Sequence, residues 1–232
     1  MTASRAWRST FWASLALTLL LAAVPLAKTR AAPRVVPCDS TVVQVAASSA
    51  QDRAGACAAA RDMLAFFAAA GMPRTAPLTI EIVAKLPEAA GKTAVGCYVQ
   101  SQARAYGLSY AAFARRGRWF RVPIDRRAHR SVVVHEIAQH LMVCNDGRSD
   151  VSWHGKEYVA YVAMFATMDP MLRERILLAV PGTGFDTVAQ ITPLSLAFDP
   201  EGFATDAYRH YLKPGYGDAF LRSVVEGRAL TE

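Results

Sequence analysis

The segment Val132-Val133-Val134-His135-Glu136-Ile137-Ala138-Gln139-His140-Leu141-Met142 is the strongest constraint on how this chain can fold. Its apolar residues demand burial, and burial carries His135, Glu136, Gln139 and His140 inward with them. Polar groups taken out of water cost free energy unless they meet partners. A fold that buries this segment must therefore build a polar cluster within or beside its core. Asp125 is a suitable N-cap and Asn145-Asp146-Gly147 a suitable exit, so a helix is expected from Asp125 to about Cys144.

Within that helix stands a near-match to H-E-x-x-H, in which histidines at i and i+4 bind zinc and the intervening Glu acts as general base on the metal-bound water. Here the second histidine comes one residue late, and Gln139 holds the usual ligand position. On a regular helix, positions i and i+4 lie about 40° apart and positions i and i+5 about 140° apart. His135 and His140 can share one ion only if the helix carries a π-type turn. If it is regular, Gln139 faces the site instead. Glu157, at the start of the following helix, is the candidate third ligand, because two histidines and one glutamate are a known catalytic zinc set.

This pattern resembles the gluzincin branch of zinc metallopeptidases, whose third ligand is a Glu on the helix after the motif helix. The shifted H-E-x-x-x-H spelling resembles the dipeptidyl peptidase III family, and the chain is similar to small exported bacterial zincin-like proteins of unknown function. Over roughly residues 115–170 the resemblance implies zinc ligands His135, His140 and Glu157, with Glu136 as base. It departs from the dipeptidyl peptidase pattern in having Gln139 where that family has Gly, and in lacking the second acidic motif around Glu157. Tyr158, Tyr161 and the late His210 are possible transition-state donors. Each has a plainer reading as a core aromatic or surface group, as Glu157 does as a helix-start carboxylate.

Around the motif the expected organisation is α+β, a small early sheet followed by several helices. Strands are expected at 41–46, 78–83 and 96–100, with a hairpin over 113–122 turning at Arg115-Arg116-Gly117. Helices are expected at 56–70, from about 153 to 168 with Ser152 as cap, at 170–180, and at 199–212 and 217–227.

Residues 1–31 read as a signal peptide: Arg5 and Arg8, an apolar run from Trp12 to Val24, then small residues at Ala31 and Ala32. What remains, 32–232, is one zincin-like domain in a secreted or periplasmic protein, with no membrane span after cleavage. The signal holds Arg5, Arg8, Lys28 and Arg30 and no acid, so its removal lowers the net charge from +7 to +3. That weakens the case for nucleic acid as a partner. Cys38, Cys57, Cys97 and Cys144 all lie in the remainder and read as two disulfides, with three possible connectivities. Cys38–Cys57 with Cys97–Cys144 is the expected pairing. The functional expectation is a zinc-dependent peptidase acting on a peptide or protein substrate. The alternative is a catalytically silent binding module on the same scaffold.

Overall fold

In the computed structural model, which describes residues 33–39, 42–146 and 151–231, the apolar segment is buried on two sides at once. It forms the middle of α3 (Arg126–Asn145), a helix lying against a sheet on one side and against α4 (Trp153–Ala166) on the other. The expected signal peptide lies outside the described residues.

The sheet has five strands: β1 (Val35–Pro37), β2 (Val43–Ala47), β3 (Leu78–Val83), β4 (Gly96–Val99) and β5 (Arg104–Leu108). Their spatial order is β1-β2-β3-β5-β4. The central pairs β2–β3 and β3–β5 are parallel, and the flanking pairs β1–β2 and β4–β5 are antiparallel. A parallel pair needs a crossover connection. That between β2 and β3 is α1 (Ala50–Ala69), which buries Ala56, Ala59, Ala60, Met63 and Phe67 and packs against β2, β3 and α3. Strand β3 alternates buried and half-buried residues along Leu-Thr-Ile-Glu-Ile-Val, the period of two that a strand with one covered face requires.

After the sheet come a short helix α2 (Tyr110–Ala114), a two-stranded hairpin β6 (Arg118–Trp119) and β7 (Val122–Pro123), then helices. Beyond α3 and α4 these are α5 (Pro170–Ala179), α6 (Pro193–Phe198), α7 (Pro200–Tyr211) and α8 (Gly217–Val225). Helix α4 packs against α3, α6, α7 and α8, joining the sheet half to the helical half. The class is α+β. Among the described residues no helix is long and apolar enough to cross a membrane.

Three expectations about the fold need correction. Residues 113–122 are not one hairpin: Ser109 caps a short helix, and the turn falls at Phe120-Arg121, whose φ angles of 48° and 60° suit a two-residue hairpin turn. No strand is expected before residue 41, yet residues 35–37 form β1, because β2 offers them an open edge. Helix α1 begins at Ala50, well before Ala56, because Ser49 accepts a hydrogen bond from the Asp52 amide and so fixes the start.

One expected disulfide is present. Cys38 and Cys57 are bonded, with Cα atoms 5.4 Å apart, and tie the β1–β2 connection to α1. Cys97 and Cys144 are free thiols. Side chains alternate along β4, and it is Tyr98, not Cys97, that packs on His140, whose ring lies 3.5 Å from the Cys144 sulfur. Cys97 therefore points to the opposite face from the one Cys144 occupies. Denatured, non-reduced protein should titrate with two thiols per chain. A count near zero would show that a second bridge forms.

Candidate functional site

Helix α3 is α-helical throughout Arg126–Asn145, and this regularity sorts its polar residues onto two faces. Gln139, one turn from His135, shares its face. His140 is turned away by about 140° and cannot join it.

On the first face, Glu157 of α4 reaches across to α3. Its Oε2 lies 3.3 Å from His135 Nε2, and its Oε1 accepts a hydrogen bond of 2.9 Å from Gln139 Nε2. Gln139 Nε2 also lies 3.2 Å from His135 Nε2, so the amide sits between the imidazole and the carboxylate. His135 Nδ1 is buried without a hydrogen-bond partner. Burial lowers the His135 pKa, but the charge and hydrogen bond of Glu157, with Glu136 behind, outweigh it, and the net shift is upward. The Tyr161 ring lies 4.6 Å from the His135 ring, and burial together with the nearby carboxylates raises its phenol above the usual range.

Glu136 stands beside this cluster and is only 6% exposed. Burial raises its carboxyl to about 7; the Glu157 charge adds to the rise and His135 opposes it. Strand β4 makes room for it with Gly96, where a Cβ would lie 2.5 Å from Glu136 Oε1.

On the second face, His140 is a structural clasp. Its Nδ1 pairs with the Tyr98 hydroxyl at 2.9 Å and its Nε2 with the Ala76 carbonyl at 3.0 Å. Donation to Ala76 requires the proton on Nε2, so Nδ1 accepts from Tyr98. Burial lowers its pKa. Both nitrogens are engaged inside the protein, and the structure does not bring His140 together with His135 and Glu157.

The expected donors divide in the same way. Tyr161 lines the cleft above His135. Tyr158 is fully buried and its hydroxyl pairs with His210 Nδ1 at 2.7 Å. That pair sits among Phe185, Tyr216 and Phe220, in the packing of α4 against α7 and α8. Neither residue faces the cluster. His154 lies beside the Ser152 cap, 3.2 Å from its hydroxyl.

The cluster forms the floor of a cleft of about 810 Å³. One wall is the edge strand β4 with Gly96 and Cys97, where burial and the Glu136 charge push the Cys97 thiol up to about 11. A second is the β6–β7 hairpin with Trp119 and Phe120, and a third is the start of α7 with Glu201. These wall residues come from segments far apart in the chain, and no local pattern marks them.

Zinc requires three ligands converging on one point. The described residues hold no group of three His, Cys, Asp or Glu side chains that could take a metal ion. At the motif, His135 and Glu157 contact each other, and an amide stands where the third donor belongs. The donor set does not fit catalytic zinc.

The profile of a family of unknown function, DUF6639, matches residues 43–232. No curated protein and no solved structure matches the chain.

Proposed function

We propose that this chain, which belongs to the DUF6639 family, is an exported zincin-like module that binds extended peptide in its cleft without a catalytic zinc. The observation that carries this reading is the regular α3, which sets Gln139 rather than a second histidine beside His135 and Glu157. A primary amide is a poor substitute for imidazole at zinc, and Gln139 is already bonded to Glu157. Peptide is the favoured ligand because β4 ends the sheet, leaving the outer edge of Gly96–Val99, beside the cleft, without a strand partner among the described residues. Extended chains add to such edges through main-chain hydrogen bonds, while adjoining pockets select side chains. The Cys38–Cys57 bond supports an oxidising compartment, secreted or periplasmic.

The test begins with metal. Purified protein dialysed against zinc should retain less than about a tenth of an equivalent. Gln139→His, which restores the i, i+4 pair beside Glu157, should hold about one zinc per chain. Stoichiometric zinc on the wild type, with peptide cleavage abolished by Glu136→Gln, would establish the peptidase instead. For the ligand, an octapeptide pool should slow amide exchange at Gly96–Val99. Unchanged exchange there at saturating peptide would count against the groove.

A further inference from the structure

Glu136 is the one carboxylate lining the cleft that has no hydrogen bond or ion pair among the described residues. Glu157 receives Gln139 and His135, and Glu201 Oε2 lies 3.4 Å from Arg121 Nε. The cleft arginines are turned elsewhere. Arg116 donates to the Thr93 and Ala94 carbonyls at 2.6 Å each, and Arg118 to the Arg121 carbonyl at 2.5 Å. A carboxyl so deeply buried, aimed into a cleft and lacking a partner, calls for a ligand group to satisfy it. Aromatic rings also line the cleft: Trp119 and Phe120 with centroids 4.7 Å apart, and Tyr161 6.5 Å from Phe120. Aromatic faces attract cations, most strongly where water is excluded.

We propose that the cleft receives an organic cation, the basic side chain of a bound peptide, with Glu136 as its counter-ion and Trp119, Phe120 and Tyr161 as its aromatic lining. The proposal rests on the reading of the cleft as a peptide groove and names the side chain that groove selects. A lysine ammonium or arginine guanidinium would give Glu136 the charge-assisted hydrogen bond it lacks. A neutral side chain of the same length would leave the carboxyl unsatisfied. An acidic one would meet Glu136 and Glu157 together.

The test uses calorimetry at pH 8 with N-acetylated, C-amidated alanine–serine octapeptides carrying a central Lys, Gln or Glu, and with n-butylammonium. The Lys peptide should bind about ten- to a hundredfold more tightly than the Gln peptide, and the Glu peptide most weakly. In Glu136→Gln the Lys preference should fall to about threefold or less, with melting temperature confirming the fold. If an unacetylated Gln peptide matches the acetylated Lys peptide, the cation is received equally well from an amino terminus. Equal affinity for Lys and Gln peptides in the wild type would overturn the cation site and leave the peptide groove standing, as would a Lys preference that survives in Glu136→Gln. Glu136-dependent binding of butylammonium with no octapeptide bound would do the reverse. Binding of neither would sink both.

Discussion

Glu136→Gln should stabilise the protein by about 3 kcal/mol at pH 8 and by close to nothing at pH 4.5. In the folded chain the carboxyl is raised to about 7, from an ordinary value of 4.5, first by burial and then by Glu157. Between those values the folded state keeps a proton that the unfolded chain has released. Stability contributed by the neutral carboxyl is therefore complete below pH 4.5 and is lost as pH rises through 7. Glutamine never ionises and escapes that loss. Urea unfolding of both proteins from pH 4.5 to 8 measures it, and curves that stay superimposed would show that Glu136 is not held neutral by its surroundings. A residue whose ionised form weakens the fold, buried in the lining of a cleft, is a locus of function, where stability is commonly traded for activity. The gain also makes Glu136→Gln a safe probe of ligand binding, since lost affinity could not be blamed on lost structure.

His210 should act in the opposite sense and by a similar amount. Its ring is fully buried, and burial first, then the Lys213 charge, pushes its pKa down to about 4 from 6.5. Tyr158 pairs with Nδ1, Nε2 has no hydrogen-bond partner, and the surrounding Phe185, Tyr216 and Phe220 offer no counter-charge. As pH falls from 6.5 to 4 the unfolded chain takes up a proton that the folded chain refuses. Stability present above pH 6.5 is then lost through that window, to a total of about 3 kcal/mol. Between pH 4.5 and 6.5 the contributions of these two groups largely offset one another. His210→Gln, which keeps an acceptor for Tyr158, should uncover the Glu136 slope and gain stability on acidification. If its profile runs parallel to that of the wild type, His210 is not the compensating group.

Local chemistry decided much of this fold. Asp125, Ser152 and Asp169 each accept a backbone N–H in the first turn of the helix that follows, so those three starts were legible from residue type alone. Leu78–Val83 declared itself by β-branched residues and flanking prolines. The bridge between Cys38 and Cys57 closes a short loop across one helix start, which a sequence reading can favour over distant pairings.

What the tertiary structure decided follows from groups that acquire meaning only through distant neighbours. Strand β5, Arg-Ala-Tyr-Gly-Leu, carries no strong strand pattern. It forms because β3 and β4 pair with it on both sides. Cys97 and Cys144 remain apart because β4 alternates. Sequence geometry narrowed the site to two alternatives, a bulged helix with His140 inward or a regular one with Gln139 inward, and could not choose between them. The choice was made by partners far away in the chain. Tyr98 and the Ala76 carbonyl hold both nitrogens of His140 on one face, and Glu157 holds the Gln139 amide on the other. A regular helix makes all of these bonds, and a bulge would break those on one face or the other.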